Sequence, residues 1–221
     1  SLSGDEPDLP EPLAGGAVPT SRWTEGTTVR DWQDLALKAD VPNGSYHLWL
    51  ALTAGEQRSQ ELDLGEVTVE GRPHGFVLPP LAATSGAAFG HNVQLAGLQN
   101  APAPSIRPGD TLEVPLVWQV LEPSPRPLVR FVHLLRADGK PLAQHDSAPC
   151  EGECPSPSWL AGEVLTDTVT LTIPEDAPAG GYSLAAGWYD GETLQRLEAR
   201  DAEGTVLPGG LVPLATVEVT K

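Results

Sequence analysis

The sequence contains two copies of one segment, and this duplication constrains the fold more than any other feature. Residues 19–56 align without a gap on residues 155–192 when the chain is shifted by 136 positions. Twelve of the 38 aligned pairs are identical, well above chance, and they favour residues that form turns and cores. They are Pro19/Pro155, Trp23/Trp159, Gly26/Gly162, Asp31/Asp167, Leu35/Leu171, Asp40/Asp176, Pro42/Pro178, Gly44/Gly180, Tyr46/Tyr182, Leu48/Leu184, Gly55/Gly191 and Glu56/Glu192. After a further shift of 14 positions, the apolar residues of 64–69 align on those of 214–219. We therefore predict two β-units of related structure.

Each copy is predicted to contain a strand that leads into a sharp corner. At 169–173 apolar residues alternate with threonines, the two-residue period of a strand with one buried face. The counterpart in the first copy is 33–37. A corner rich in Pro and Gly follows at 174–181 in the second copy and at 40–44 in the first. Because Pro fixes φ and Gly supplies positive φ, we expect the chain to reverse direction there.

Tyr182 and Tyr46 open the next strand of each copy, directly after the corner. We expect each to be a buried ring whose hydroxyl bonds to a neighbouring loop. This resembles the tyrosine corner of Greek-key sandwiches, although it follows a Pro/Gly turn and no Cys stands two residues later.

The second unit is predicted to be a complete β-sandwich and the first to be part of one. Strands near 92–98, 111–120 and 128–136 precede the second copy and bring its total to about seven short strands. By the same offset, the first copy has no counterpart of 91–136. We predict an all-β chain of tandem antiparallel, immunoglobulin-like or Greek-key β-sandwich units. The expected partial unit, linker and complete unit are residues 1–72, 73–90 and 91–221.

The partial first unit is expected to need a partner. Half a sandwich exposes its apolar face and an unpaired strand edge, and both promote association. We expect the first unit to pack on the second domain or on a second copy of the chain. A homo-oligomer through the first unit is therefore a candidate assembly.

The charge of the chain excludes two classes of partner. Lys and Arg total 13 and Asp and Glu total 30, a formal net charge of −17. A nucleic acid or an anionic membrane surface requires clustered basic residues, so neither is an expected partner. No apolar run approaches the ~20 residues of a membrane span, so we expect no insertion of this chain. Because the sequence begins at Ser1, we expect a fragment of a longer protein.

Cys150 and Cys154 are the only cysteines, in the motif Cys-Glu-Gly-Glu-Cys. Three intervening residues, one of them Gly, allow a disulfide if the loop bends tightly. Free thiols, a metal site and a redox pair are the alternatives. Two thiols do not fill a tetrahedral zinc site, and a redox pair is ordinarily Cys-x-x-Cys. We favour the disulfide.

The sequence predicts no catalytic residue, no metal site and no cofactor. His133 lies within a predicted strand, with Glu122 and Asp146 as distant potential partners, and no Gly-x-Ser-x-Gly elbow accompanies it. A lone histidine in a strand is far more often structural than catalytic. The acidic residues are scattered through turns, and the chain lacks a Walker loop and a dinucleotide-binding loop.

Three aromatic residues are the candidate ligand contacts. Trp49 and Tyr189 fall on the opposite strand phase from the predicted core residues, and Trp32 on the opposite phase from Leu35. An outward aromatic ring on a β-sandwich can stack on a sugar. It can also cover an interdomain interface, which is the more common use. The other tryptophans, Trp118 and Trp188 among them, are predicted to lie in the core or in shared packing positions.

The second unit also resembles a known family. The resemblance covers about residues 90–220, and the second half of its pattern recurs at 19–70. The motifs that carry it are Pro108-Gly-Asp, Val117-Trp118, Phe131-Val-His-Leu134, Asp138-Gly, Gln144-x-Asp146, Trp159-x-x-Gly-Glu163, Asp167, Ile173-Pro, Ala177-Pro-Ala-Gly-Gly-Tyr182, Gly187-Trp-Tyr-Asp190, Arg196-Leu197 and Leu214-x-x-Val-x-Val219. They resemble the extracytoplasmic β-sandwich region of bacterial membrane proteins similar to dolichyl-phosphate-mannose-type mannosyltransferases. These motifs are structural, so the resemblance implies a fold and carries over no catalytic residue.

The leading functional hypothesis is a non-catalytic accessory or binding module of an extracytoplasmic, membrane-tethered bacterial protein. It would assist a membrane glycosyltransferase or contact cell-surface glycan, so carbohydrate or another β-domain is the expected partner. The alternative is a structural spacer or oligomerisation domain of a surface protein. An independent enzyme is the third and most distant hypothesis.

Overall fold

The computed structural model describes residues 22–32, 34, 35, 37–54 and 57–221 of the chain. The chain divides into two compact units, Ser1–Arg72 and Pro73–Lys221, which are called the first and second unit below. The described residues form strands, turns and short 3₁₀ segments, with no α-helix among them. The prediction of an all-β chain with antiparallel sheets is confirmed.

The described part of the first unit is built around one antiparallel hairpin. Strand β1 (Gly44–Leu50) pairs with β4 (Leu62–Val69). Between them, β2 (Thr53–Ala54) pairs with β3 (Gln57–Arg58).

The second unit, all of whose residues are described, contains eight strands of six or more residues and three of two residues. They are β5 (Ala83–Phe89), β6 (Val93–Leu98), β7 (Ser105–Ile106), β8 (Thr111–Val120), β9 (Leu128–Leu135), β10 (Pro141–Ser147), β11 (Val164–Thr172), β12 (Gly180–Asp190), β13 (Ala199–Arg200), β14 (Val206–Leu207) and β15 (Val212–Val219). Short 3₁₀ segments lie at Pro149–Gly152, Ser156–Ser158 and Pro208–Gly210.

These strands form two sheets around one core. The five-stranded sheet has the order β10-β9-β12-β15-β7, and the six-stranded sheet has the order β11-β8-β6-β5-β13-β14. All pairings are antiparallel except that of β15 with β7. Apolar side chains from both sheets are buried together, as in a β-sandwich.

Three tryptophans form the centre of this core. Trp188 contacts Trp118 and Trp159 edge-on, with ring centroids 5.1 Å and 5.6 Å apart. All three side chains are fully buried. The expected inward direction of Trp118 and Trp188 is thus confirmed.

The two copies of the repeat have the same strand register. Gly44 pairs with Val69 in the first unit, and Gly180 pairs with Val219 in the second. The register shifts after Leu48 in one hairpin and after its counterpart Leu184 in the other. Since a β-bulge is a specific local feature, its recurrence at the same aligned position supports a structural duplication.

The two tyrosines that follow the corners make the same hydrogen bond. The Tyr182 hydroxyl donates to the Pro178 carbonyl oxygen at 2.8 Å, and the Tyr46 hydroxyl donates to the Pro42 carbonyl oxygen at 2.8 Å. Each bond ties the start of a strand to the loop four residues upstream. The expected bond from the tyrosine hydroxyl to a neighbouring loop is confirmed in both copies. The expected burial of the ring holds for Tyr182, which is 7% exposed, whereas Tyr46 is only half-buried.

The substitution Tyr182→Phe should lower the free energy of unfolding of the second unit by about 1 kcal/mol, because it removes one hydrogen bond and keeps the ring. Urea denaturation followed by tryptophan fluorescence measures the change. The matched variant Tyr46→Phe should leave this transition unchanged, because Tyr46 lies in the first unit. An unaltered midpoint for Tyr182→Phe would contradict the structural role of the bond.

Two stretches of the chain differ from expectation. Of the strand expected at 33–37, the described residues Asp34, Leu35 and Leu37 are not in a strand. In the second unit the corresponding β11 pairs with β8, and the first copy has no counterpart of β8. The stretch 73–90, expected as a linker, contains β5. Its small Ala, Gly and Ser residues gave no strong apolar pattern, yet they allow close packing against β6.

Candidate functional site

The outer face of the five-stranded sheet carries the strongest candidate site. Successive side chains of a strand point to opposite faces, so Phe131 and His133 of β9 point away from the core between buried Val132 and Leu134. In the pairing of β9 with β10, Asp146 lies opposite Phe131. Tyr189 of β12 and Arg196, from the loop after β12, complete the group. We call Phe131, His133, Asp146, Tyr189 and Arg196 the aromatic face.

Phe131 is the centre of the aromatic face and depends on a glycine. It is only 1% exposed although it points outward. Gly187 pairs with Phe131, and a Cβ atom at Gly187 would collide with the Phe131 ring. Such a Cβ atom would also lie 2.6 Å from the Gly210 carbonyl oxygen. The sequence therefore places a Gly where the ring must lie flat on the sheet.

Aromatic and cationic groups surround the Phe131 ring. The His133 ring lies at a centroid distance of 4.6 Å, and the Tyr189 ring is nearly parallel at 6.2 Å. The Arg196 guanidinium carbon lies 4.7 Å from the Phe131 centroid, within the range of a cation–π contact. Tyr189 also forms a β-bridge with Arg196, which holds the arginine over the sheet. The half-buried Tyr189 thus lies beside a ring cluster and a fixed cation.

Polar groups on the aromatic face are paired. His133 Nε2 lies 3.1 Å from Asp146 Oδ1. Burial lowers the pKa of His133, and this effect exceeds the opposing effect of Asp146. Burial, reinforced by the Asp146 charge, raises the pKa of Tyr189. At neutral pH the His133 imidazole is therefore neutral and the Tyr189 phenol is protonated.

The lowered pKa of His133 should make stability depend on pH. Because the unfolded chain binds a proton near pH 6.5 and the folded protein does so only at lower pH, stability should fall as the pH drops below 6.5. The free energy of unfolding should stop falling once the pH is below the pKa of His133 in the folded protein. Urea denaturation at several pH values measures it, and His133→Gln should reduce the slope. Equal slopes for the two proteins would contradict the burial of a neutral His133.

The loop that carries Arg196 is fixed by Asp190. Asp190 Oδ1 accepts hydrogen bonds from the backbone N–H groups of Thr193 and Glu192, both at 2.9 Å, and Oδ2 accepts one from Arg126 at 3.1 Å. These bonds, that of Thr193 first, lower the pKa of Asp190. The loop is therefore held by an ionised carboxylate at neutral pH.

A buried ion pair lies on the inner side of β9, the side opposite to the aromatic face. The Arg130 side chain is 0% exposed, and Asp167 of β11 is 2% exposed. Arg130 donates to Asp167 through Nε at 2.7 Å and through Nη2 at 3.2 Å. Since the two residues belong to different sheets, this pair joins the sheets through the core.

A disulfide loop covers one end of this ion pair. Cys150 and Cys154 are joined by a disulfide, and Glu151 within the loop has a positive φ of 53°. Arg130 Nη2 donates to Glu151 Oε1 at 2.7 Å. Burial raises the pKa of Glu151, but the hydrogen bond and charge of Arg130 outweigh it, so the pKa is lowered. At neutral pH the ionised Glu151 carboxylate of this loop therefore binds the buried Arg130.

The three aromatic residues that the sequence singled out belong to different units. Tyr189 lies on the aromatic face of the second unit. Trp49 lies in the first unit, paired with Asp63 across the hairpin and with its ring 6.2 Å from that of His47. Trp32, also in the first unit, lies outside any strand and is 85% exposed.

Sequence reasoning missed most of the aromatic face. It assigned His133 a structural role, and it did not consider Phe131 or Arg196 as surface groups. Phe131 and His133 alternate with the apolar Val132 and Leu134 along β9. This alternation could have predicted that Phe131 and His133 point away from the core. The pairing of β9 with β12, which brings these residues to Tyr189, requires the register of the fold.

Two kinds of site are absent from the described part of the chain. No group of three or more His, Cys, Asp or Glu side chains there is placed to hold a metal ion. No helix formed by those same residues is long and apolar enough to cross a membrane.

Comparisons with known proteins assign no family. No protein-family model and no curated protein matches the chain. A solved structure of the C-terminal domain of wzt is 14% identical, with a TM-score of 0.41, and the match covers 65% of this chain and 83% of that one. A CaDoc0917–CaCohA2 complex is 15% identical over 54% of this chain and 97% of that one, with a TM-score of 0.25. A membrane-anchored protein from Corynebacterium diphtheriae is 15% identical over 81% of this chain and 45% of that one, with a TM-score of 0.27. Likenesses this distant carry no functional argument, and the resemblance to mannosyltransferase-like proteins stays a prediction.

Proposed function

We propose that this chain is a non-catalytic extracytoplasmic binding module that contacts carbohydrate through the aromatic face. The observation that carries the proposal is the fixed arrangement of Tyr189 beside Phe131, with Arg196, His133 and Asp146 around the rings. A rigid ring next to oriented polar groups suits a ligand that has both apolar and hydroxyl surfaces.

The chemistry of sugars matches this arrangement. One face of a pyranose ring presents C–H groups that pack on an aromatic ring, and its rim presents hydroxyls that donate and accept hydrogen bonds. The Asp146 carboxylate accepts, the Arg196 guanidinium donates, and the Tyr189 phenol does both. Their positions are set by the sheet and by the Asp190 loop, so little conformational entropy is lost on binding.

Trp49 and Trp32 are proposed as separate, secondary contacts in the first unit. Trp49 has His47 on the same strand and Asp63 across the hairpin, with His47 Nδ1 3.7 Å from Asp63 Oδ2. Trp32 offers an exposed ring without a supporting strand. We therefore expect the aromatic face to supply most of the binding energy.

The proposed location and parent protein rest on two features. Disulfides persist in oxidising compartments, and the second unit contains one between Cys150 and Cys154. The structural motifs of the second unit resemble the extracytoplasmic region of mannosyltransferase-like membrane proteins. We propose that the chain serves such a membrane-tethered protein as an accessory domain.

A glycan array probed with the whole chain tests the proposal. The array should carry mannose-, galactose- and N-acetylglucosamine-based oligosaccharides, and the wild-type chain should bind a subset of them. Tyr189→Ala should weaken binding about tenfold, which corresponds to about 1.4 kcal/mol. Trp49→Ala and Trp32→Ala should have smaller effects.

Thr170→Ala is the matched control, because Thr170 is exposed on β11 of the other sheet and should leave binding unchanged. An array without binding would contradict the proposal. Equal losses for Tyr189→Ala and Thr170→Ala would contradict the assigned site.

A structural spacer or oligomerisation domain is the second candidate function. It is favoured by exposed apolar side chains on the first unit, which include Leu50, Leu62, Leu64 and Val67. Association through these side chains is compatible with carbohydrate binding by the second unit.

A further inference from the structure

The disulfide loop, residues 150–154, is a local ring that cross-links no two strands. Cys150 and Cys154 are four positions apart in the sequence, and both lie in the connection between β10 and β11. Such a short ring removes less conformational freedom from the unfolded chain than a disulfide that closes a long loop. The bond therefore acts mainly on the conformation of the disulfide loop itself.

The backbone of the disulfide loop is strained. The adjacent residues Cys150 and Glu151 have φ angles of 51° and 53°. Among the residues that the structure describes, Leu194 is the only other non-glycine residue with a positive φ. Residues with a side chain avoid this left-handed region because the Cβ atom crowds the backbone. Such strain persists only where the surrounding structure imposes it, and here the disulfide closes the ring that contains both residues.

The strained conformation places Glu151 against a buried arginine. Arg130 Nη2 donates to Glu151 Oε1 at 2.7 Å, and Ser147 Oγ donates to the same oxygen at 3.3 Å. His145 Nε2 lies 3.2 Å from this oxygen. The Glu151 side chain is 59% exposed, so water can solvate its carboxylate when the contact is lost. Arg130 would still keep its two hydrogen bonds to Asp167.

The disulfide loop lies at the surface of the second unit. Cys150 and Cys154 are half-buried, and the three residues between them are exposed. Strained or exposed disulfides are reduced more readily than unstrained, buried ones, and they are the ones that serve regulation. The position of the loop and the strain in its backbone therefore both favour reduction in the folded protein.

We propose that the Cys150–Cys154 disulfide is a redox-sensitive latch, which a dithiol reductant opens and which then releases Glu151 from Arg130. A thiolate of the reductant attacks one sulfur atom and breaks the S–S bond, which gives a mixed disulfide. The second thiol of the reductant displaces the protein thiol from this intermediate. The reductant leaves as its own disulfide, and the two cysteines together gain two electrons and two protons.

Two tryptophans distinguish the opened loop from a change in the core. The Trp159 indole N–H donates to the Cys154 carbonyl oxygen at 2.9 Å, so its NMR resonance is sensitive to the conformation of the disulfide loop. The Trp118 ring is equally buried, and its ring contacts are with Phe89 and Trp188. The Trp118 indole resonance is therefore the internal control.

Reduction of the folded whole chain with dithiothreitol tests the proposal. Alkylation of free thiols and intact mass measurement count the reduced cysteines, and ¹H–¹⁵N NMR spectra follow the fold. We expect both cysteines to be alkylated without urea. The Trp159 indole and Glu151 amide resonances should shift on reduction, and the Trp118 indole resonance should stay in place.

A carboxylate substitution tests the link between the disulfide and Arg130. Because the oxidised loop holds Glu151 against Arg130, loss of the Glu151 charge should by linkage favour the dithiol form. In glutathione redox buffers Glu151→Gln should raise the equilibrium constant for reduction about threefold, because a charge-assisted hydrogen bond is replaced by a weaker one. Glu153→Gln, which removes an exposed carboxylate of the same loop, is the matched control and should leave the constant unchanged.

Three results would overturn the proposal. The first is a disulfide that dithiothreitol reduces only after urea has unfolded the second unit. The second is a reduced chain whose Trp159 indole and Glu151 amide resonances keep their oxidised positions. The third is an equal reduction constant for Glu151→Gln and Glu153→Gln.

Discussion

Replacing Arg130 with methionine should lower the free energy of unfolding of the second unit by about 3–5 kcal/mol, because it leaves the Asp167 carboxylate buried without its counter-charge. The Arg130 side chain is 0% exposed, and it donates two hydrogen bonds to Asp167. A buried charge without a partner is among the most destabilising changes in a folded protein. Urea denaturation followed by tryptophan fluorescence measures the loss.

The double variant Arg130→Met with Asp167→Leu distinguishes the effect of the two charges from the effect of the volume that the two side chains fill. Replacing both charges with apolar groups of similar size is often neutral, so the double variant should recover much of the loss. Glu151, the other partner of Arg130, is 59% exposed and can be solvated by water. A double variant as unstable as Arg130→Met alone would show that the account of an unpaired buried charge is wrong.

Trp188→Ala should destabilise the second unit by a comparable amount, about 3–5 kcal/mol, because it opens a large cavity in the core. Trp188 is fully buried and contacts both Trp118 and Trp159 edge-on. Its removal leaves Trp118 and Trp159 without the ring that both of them contact. Calorimetry or urea denaturation would measure the loss.

Trp32→Ala is the matched control for Trp188→Ala. Trp32 is 85% exposed, so its removal should change the free energy of unfolding by less than about 0.5 kcal/mol. Similar losses for the two variants would contradict the assignment of Trp188 to the core.

Much of the fold could be predicted from the duplication. Alternation of apolar residues located β8, β9 and β12 closely, because these strands are long and have one face in the core. The repeat predicted that Tyr46 and Tyr182 would make equivalent bonds. Strands β5 and β10 were missed, because β5 is rich in Ala, Ser and Gly and β10 is polar at its exposed end.

The candidate site was less predictable than the fold. Tyr189 was identified by its outward phase, but the aromatic face depends on pairing between strands distant in the sequence. Gly187 and Phe131 are 56 positions apart in the sequence, and their contact follows from the register of β9 on β12. The buried Arg130–Asp167 pair was also hard to predict from the sequence, since a charged residue within a strand usually indicates an exposed side chain.

The related hairpins of the two units differ in the burial of their inner faces. In the second unit the inner face of the hairpin forms part of the sandwich core, and Ala186 and Val217 are both 0% exposed. In the first unit the corresponding side chains of Leu50 and Val67 are exposed. One duplicated segment thus forms a core face in one unit and a partly exposed apolar face in the other.

The central claim is that the aromatic face binds carbohydrate, and an NMR titration tests it most directly. The whole ¹⁵N-labelled chain is titrated with the oligosaccharide that gives the strongest array signal, and amide chemical shifts are followed. We expect the largest shift changes at Phe131, His133, Tyr189 and Arg196, with the sugar recovered chemically unchanged. Shift changes confined to residues outside the aromatic face, or cleavage of the sugar, would contradict the account.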